Sequence, residues 1–314
     1  MVLDLRRVIL WEASNPTSRR HQQKLSAVYK IIEDRASLKG IEEQVVGIVT
    51  HTSPPQLYDS RFLNNFKNLE FVASPSTATT HINLHGMSKQ IKLLTVAGRP
   101  VMKKVTSSSE HALFLVLASY RNIKLLDEAV TSGTWREKEF IMRATQVSLS
   151  KFGVVGLGRI GTNVSRIMKA LGAEVVYFDV NCKPKSEFRK VNLRQLFSTC
   201  DTILLSCELN SSSHNLIDEN ILKFANNLRL VNVSRGEVVN ETAIIEHLDG
   251  NCLKSYATDV LGSEQNGVRN SRLWQESLTR TDIFITPHSA GLSYESEDFT
   301  VSDIVTQIAG LGRI

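Results

Sequence analysis

Residues Phe152-Gly153-Val154-Val155-Gly156-Leu157-Gly158-Arg159-Ile160-Gly161 form an apolar run that ends in a GxGxxG turn. A helical pattern follows, with Ile160, Val164, Ile167, Met168 and Leu171 on one face and Gly172 as a stop. A second strand-like run, residues 174–178, then ends at Asp179, 18 positions after Gly161. Strand, glycine turn, helix, strand and acid in this order are the fingerprint of dinucleotide binding. Gly156 permits the tight turn, Gly158 lets backbone approach a pyrophosphate, and Gly161 lets helix pack close to strand. The backbone N–H groups at the helix start, at Arg159, Ile160 and Gly161, face an anion with the positive end of the helix dipole behind them. Asp179 can accept hydrogen bonds from ribose hydroxyls and would repel a 2′-phosphate, which favours NAD over NADP.

Three further segments place polar residues at the ends of strand-like runs, where open α/β sheets build their sites. They are Val231-Asn232-Val233-Ser234-Arg235-Gly236, then Thr258-Asp259-Val260-Leu261-Gly262-Ser263-Glu264, then Ile285-Thr286-Pro287-His288-Ser289-Ala290-Gly291. Taken singly, each has a plain structural reading. Arg235 reads as a surface ion pair, Glu264 as a solvated loop acid and His288 as a helix cap.

These motifs need a scaffold, and the chain is long enough for two domains at 314 residues. Its first hundred residues alternate strand-like segments (8–11, 45–50, 70–73, 92–96) with helix-like ones (22–35, 57–66). From residue 151 the alternation resumes, with strand candidates at 152–155, 174–178, 202–205, 230–233, 255–259 and 282–286. The pattern predicts an α/β protein with parallel sheets covered by helices on both faces. Between the two halves, Ser107 and Glu110 stand at capping-box spacing. The helix expected from His111 to about Asn122 is apolar almost all round, so it should be buried between domains or subunits, and a homodimer through it is expected. Helical pattern continues over 127–133, and Gly133-Thr134-Trp135-Arg136 leads into an irregular stretch.

Composition excludes other classes. The longest apolar stretches, such as 112–119, are too short to span a bilayer, and the first residues hold no apolar signal core, so a cytoplasmic protein without membrane contact is expected. The net charge is +5, but Lys and Arg are scattered rather than clustered, which argues against nucleic acid and suits anionic small molecules. The four cysteines, Cys182, Cys200, Cys207 and Cys252, show neither CxxC nor zinc spacing, so no metal site is expected.

Together, Ser109-Glu110-His111, the turn at 156–161, the segment 231–236, Asp259-Val260 with Glu264 five residues after Asp259, and Pro287-His288 resemble the D-isomer-specific 2-hydroxy acid dehydrogenase family in order and spacing. The match covers nearly the whole chain. The resemblance implies a Rossmann-type NAD-binding domain, residues 104–290, inserted in a smaller flavodoxin-like parallel α/β substrate domain, residues 1–103 and 291–314, to which the last helix returns. It implies hydride transfer between NAD and a small 2-keto or 2-hydroxy acid of the D series. Arg235 would grip the substrate carboxylate and carbonyl. His288 would be the general acid in reduction and the base in oxidation, with Glu264 favouring its protonated form. Asp259 and the backbone at Cys207 and Val233 would contact the nicotinamide half. The chain resembles phosphoglycerate dehydrogenase-like members without a regulatory domain, since it ends at Ile314.

Where the family has a glycine-rich turn for the substrate carboxylate, this chain has Ser76-Thr77-Ala78 within Ser74-Pro75-Ser76-Thr77-Ala78-Thr79-Thr80-His81. Their hydroxyls either read a polyhydroxylated substrate or bond their own loop, and the second is favoured. Gln265 stands where a proline commonly follows the catalytic Glu, and Ser206 and Glu208 replace the common His and Pro around Cys207. Glu264 occupies the position of a Gln in the formate dehydrogenase branch, which disfavours that activity. An alternative implied by the same family is an NAD(H)-sensing, corepressor-like binding module with little turnover. Trp135 reads as a packing residue at the domain boundary, ahead of a reach into a partner's substrate pocket.

Overall fold

The computed structural model describes residues 7–13, 18–51, 57–87, 90–136, 138, 144–181, 187–262, 264 and 267–311. Cys182 and Gln265 lie outside them. The chain divides into two units, Met1–Thr106 with Leu292–Ile314, and Ser107–Gly291.

In the first unit the elements run β1 (Val8–Trp11), α1 (Ser18–Gln22), β2 (Lys30–Ile32), β3 (Val45–Val49), α2 (Ser60–Leu63), β4 (Phe71–Ser74) and β5 (Lys92–Thr95). All pairings are parallel and the sheet order is β2-β1-β3-β4-β5, a flavodoxin-like arrangement. Every residue of β1, β3 and β4 is buried. Strands covered on both faces read as continuous apolar runs, as these do. Val8, Leu10, Ile48 and Val72 pack with Leu63, Phe66 and Leu69 on one side. On the other, Ile9, Trp11, Val49 and Phe71 meet Val301, Ile304, Val305 and Ile308 of the C-terminal helix Tyr294–Leu311.

Of two helices expected here, one is absent and the other is shortened. The helix expected over 22–35 is absent: α1 stops at Gln22, turns follow, and β-branched Ile31 and Ile32 pair with Ile9 and Leu10 of β1. Leu25, Val28 and Ile31 do reach the core, but from turns and a strand, because the sheet edge offers the extended backbone its ladder. Over 57–66, Tyr58 instead bridges to Ile82, and Asp59 caps the one-turn α2 by accepting from the Phe62 N–H at 3.0 Å.

The second unit runs α3 (Ser107–Arg121), α4 (Ile123–Thr131), β6 (Lys151–Val155), α5 (Arg159–Ala170), β7 (Glu174–Phe178), β8 (Arg189–Lys190), α6 (Leu193–Thr199), β9 (Thr202–Leu205), α7 (Glu219–Leu222), β10 (Leu228–Asn232), α8 (Glu241–Asp249), β11 (Leu253–Thr258), α9 (Arg272–Ser277) and β12 (Ile283–Ile285). Its parallel sheet has the order β12-β11-β10-β9-β6-β7-β8. The strand order reverses between β6 and β9, so a crevice opens beyond their carboxyl ends, the ligand position of a doubly wound fold. β8, two exposed residues long, carries no apolar pattern by which sequence could reveal it.

α3 also departs from expectation. It starts at Ser107 itself, whose hydroxyl donates to the Gly291 carbonyl at 3.2 Å, so Ser107 is not the cap of a helix beginning at His111. Ala112, Leu115, Val116 and Tyr120 are buried against α5 and the sheet at β10 and β11, while Phe114 keeps 46% of its surface exposed. On α5 the buried face is Gly161, Thr162, Val164, Ser165 and Met168, whereas Ile167 and Leu171 are exposed. The face turns because the close approach at Gly161 presses that side of the helix onto the sheet. Trp135 is 72% exposed and does not act as a packing residue within the chain. Among the described residues no helix is long and apolar enough to cross a membrane.

Candidate active site

β6 is followed by Gly156 at φ 90°, a conformation L side chains rarely adopt. A Cβ there would stand 2.6 Å from the Cys207 backbone, and one at Gly161 would stand 2.3 Å from the Gly156 carbonyl oxygen. The protein itself requires both glycines. At Gly158 a Cβ would meet nothing within 4 Å, so its bareness leaves open space in front of the turn. Gly158 is the N-cap of α5 and supplies no side-chain cap to the N–H groups that follow. Space, uncapped helix start and dipole fit the pyrophosphate of a dinucleotide. The Asp179 carboxylate accepts from the Leu157 N–H at 2.7 Å and the Asn181 N–H at 2.9 Å, which fixes the acid at the edge of the turn. Cys207 and Val233 follow β9 and β10. The Cys207 carbonyl accepts from the Ser234 hydroxyl, the Val233 N–H donates to Leu205 at 3.1 Å, and burial pushes the Cys207 thiol up, away from thiolate chemistry.

Two strand ends over, Asn232 folds the chain after β10. Its amide donates to the Arg235 carbonyl at 3.0 Å and its carbonyl accepts from the Ser234 N–H at 2.9 Å. This turn sends the Arg235 side chain out, with Nη1 bonded to the Ser234 carbonyl at 2.6 Å. Gly236 comes next because a Cβ there would lie 2.0 Å from the Leu261 carbonyl carbon. The Arg235 turn thus rests backbone to backbone on the loop that carries Glu264. Glu241 pins that loop, accepting from the Gly262 N–H at 2.8 Å, and Glu264 Oε1 accepts from the Leu261 N–H at 2.8 Å.

The other oxygen, Oε2, lies 2.6 Å from His288 Nδ1. The His288 side chain is 47% exposed. Its hydrogen bond with Glu264 raises the imidazole pKa above the ordinary value, against burial and the charge of Arg235, with Asp259 adding in the same direction as Glu264. With Nδ1 engaged, Nε2 is the atom that can exchange a proton with a ligand. His288 has φ 51°, and its N–H bonds to the Thr286 carbonyl at 3.0 Å. It does not cap a helix. Asp259, 1% exposed, holds this turn, accepting from Thr286 Oγ1 at 2.6 Å, the Ser289 N–H at 2.9 Å and the Ala290 N–H at 2.8 Å. Burial works to raise the Asp259 pKa, but these donors and His111 outweigh it and keep the carboxylate ionised.

The structure therefore brings Arg235, Glu264, His288 and Asp259 together. Residues 76–78 belong to the first unit, at the carboxyl end of β4. There Ser76 Oγ accepts from the Ala78 N–H at 3.2 Å, a bond within the loop itself. Sequence reasoning passed over Asn232, Gly236, Glu241, Thr286 and the side chain of His111. Asn232, Gly236 and Thr286 lay inside the quoted segments. Glu241 had no signal, because its contact with Gly262 is purely tertiary.

Comparison with known proteins bears on this geometry. A D-3-phosphoglycerate dehydrogenase of Synechocystis is 30% identical over 207 residues, 64% of this chain and 36% of that protein. The chain thus spans about a third of that relative's length. A formate dehydrogenase of Neurospora crassa is 27% identical over 267 residues, 82% of this chain and 71% of that one. Among solved structures, the pyruvate reductase of Chlamydomonas reinhardtii superposes with a TM-score of 0.84 at 20% identity, covering 98% of this chain and 97% of that one, which shows a shared fold. Residues 113–290, more than half the chain, match the model of the D-isomer specific 2-hydroxyacid dehydrogenase NAD-binding domain, and the chain belongs to that family.

Proposed function

We propose that the protein transfers a hydride between NAD(H) and a small 2-keto or 2-hydroxy acid of the D series. The observation that supports this most directly is the 2.6 Å contact between Glu264 and His288 beside Arg235. NAD(H), when bound, supplies the hydride in reduction and accepts it in oxidation. Arg235 binds the substrate carboxylate and carbonyl through its planar fork and polarises the carbonyl. His288 donates the Nε2 proton to the forming alkoxide in reduction and takes it back in oxidation. Glu264 keeps His288 protonated and fixes its ring. The turn Ser76-Thr77-Ala78 is assigned to the substrate from its place at a strand end. Asp179 favours NAD over NADP, because a 2′-phosphate would meet its charge.

The protein acts in the cytoplasm as a homodimer. The thiols of Cys200, Cys207 and Cys252 are free, as a reducing compartment keeps them. Phe114, Ile123, Val130 and Trp135, exposed on and after α3 and α4, supply an apolar face for the second copy.

The test is a panel of 2-keto acids assayed with NADH and NADPH. Turnover of at least one acid with a higher kcat/KM for NADH supports the reading. NADH binding without turnover of any panel member would reassign the chain to a cofactor-sensing module. Light scattering should give about twice the 35.1 kDa chain mass, and a monomer would refute the dimer.

A further inference from the structure

We propose that His111 is a positioning residue for the reaction at His288, acting through Thr286 and Asp259 on the turn that holds the imidazole. The proposal rests on the reading of His288 as the acid–base group. His111 lies in the first two turns of α3, far from the glycine turn and outside the Arg235, Glu264 and His288 segments. Its Nε2 stands 2.9 Å from Thr286 Oγ1 and 3.3 Å from Asp259 Oδ1.

The direction of these bonds follows from counting protons. A hydroxyl has one proton to give. Thr286 lies 2.6 Å from the ionised Asp259, which can only accept, so Thr286 donates to Asp259. Towards His111 the Thr286 oxygen is then an acceptor, and His111 Nε2 must carry the proton. One N–H is shared between a hydroxyl oxygen and a buried carboxylate. His111 thereby completes a set of four donors around Asp259: its own Nε2–H, the Thr286 hydroxyl and the N–H groups of Ser289 and Ala290.

Three of those donors belong to residues on either side of His288. A histidine at φ 51° is held in a sparsely populated conformation that its surroundings must impose. Asp259 imposes it by gripping Thr286 before His288 and Ser289 and Ala290 after it. His111 spans the Thr286 hydroxyl and the Asp259 carboxylate with the same N–H and so ties the two to each other. Without that N–H, Asp259 keeps fewer partners for a buried charge and the Thr286 side chain loses its second bond. The turn then has freedom to move His288 Nδ1 away from Glu264. The groups whose charge reaches His288 are Glu264, Arg235 and Asp259, and only Asp259 is touched by His111.

The test reads His288 directly and does not need turnover. In cofactor-free protein with labelled histidine, the His288 imidazole is titrated by NMR and assigned by its loss in His288→Asn. In His111→Leu the midpoint should fall by roughly half a unit to one unit as the Glu264 contact loosens. His111→Gln, which returns a donor at the Nε2 position, should restore the wild-type midpoint. Thr286→Val, which removes the intervening hydroxyl, should reproduce the His111→Leu shift. Phe114→Leu alters packing on the same helix face, where the Phe114 ring sits 5.7 Å from His111 and 5.9 Å from Phe284, and should leave the midpoint unchanged. On a verified substrate, His111→Leu should lower kcat on the order of 10-fold to 10²-fold with KM little changed. A wild-type midpoint in His111→Leu or Thr286→Val, or equal midpoints in His111→Leu and His111→Gln, would overturn the proposal. Absence of turnover in the wild type would sink the dehydrogenase reading alone, and the titration would still decide the role of His111.

Discussion

His288 and His81 occupy equivalent ground in two different units, each beyond the carboxyl end of a parallel strand, yet their surroundings drive them apart. His288 keeps nearly half of its side chain in solvent and faces a carboxylate at 2.6 Å, so its pKa is raised. His81 is 6% exposed and sits between the hydroxyls of Thr50 and Ser74, each 3.2 Å from Nε2. Burial, with the nearby His51, lowers the His81 pKa to about 4. One imidazole is set up to favour its proton and the other to refuse it. Hydroxyls satisfy the hydrogen bonding of a neutral ring but do not offset the cost of burying its charge. A carboxylate does, and the difference separates a residue for chemistry from a residue for architecture.

The comparison breaks most visibly if the wrong histidine matters for turnover. His288→Ala should lower kcat on the order of 10²-fold to 10⁴-fold, since it removes the group proposed to move the proton. Full activity in that variant would end the assignment. Arg235→Ala comes next. It should raise KM for the keto acid and lower kcat together, because the fork is proposed to hold the substrate in ground and transition states alike. An unchanged KM would remove Arg235 from the substrate.

His81 is read through stability instead. Its folded pKa of about 4 lies below the ordinary 6.5, so under acid the unfolded chain binds a proton that the folded chain does not. The stability it contributes is therefore complete above pH 6.5 and declines as pH falls towards 4. The loss amounts to about 3 kcal/mol, at about 1.4 kcal/mol per unit. Denaturant midpoints of wild type and His81→Gln across this window should converge as pH falls, and parallel curves would refute the buried neutral ring.

The smallest effect sharpens the other side of the comparison. Glu264→Gln keeps a hydrogen-bonding group but removes the charge that raises the His288 pKa. In the proposed reduction His288 must be protonated, so the rate should fall as pH rises through that pKa. The alkaline limb of the reductive pH profile should move to lower pH. An unmoved limb would leave the enzyme reading intact and take Glu264 out of the site.

How far these arrangements were legible varies with the range of the contacts behind them. The segment from Phe152 to Asp179 could be read almost completely, because strand, turn, helix and acid are close in sequence and their spacing is the structure. The trio Arg235, Glu264 and His288 could be named from order and family resemblance. Its joints could not, since Glu241 reaches Gly262 and His111 reaches Thr286 over long loops of chain. The helix expected over 22–35 failed for the related reason that periodicity records which residues are buried, and not whether a helix or a strand buries them. Ile31 and Ile32 are extended because β1 lies alongside.

By itself, then, the sequence determined the apolar runs that become two parallel sheets, the glycine turn that an uncapped helix follows, and the identity of the groups able to grip an acid and move a proton. Those follow from local sterics, from hydrophobic burial and from side-chain chemistry, all carried by short stretches of chain. Tertiary structure alone decided the electrostatics. Whether a histidine is held charged or neutral depends on which neighbour lies within about 3 Å and on how much water is left around it. His288 received Glu264 and solvent, and His81 received two hydroxyls and burial, because folding brought those groups from distant points in the chain.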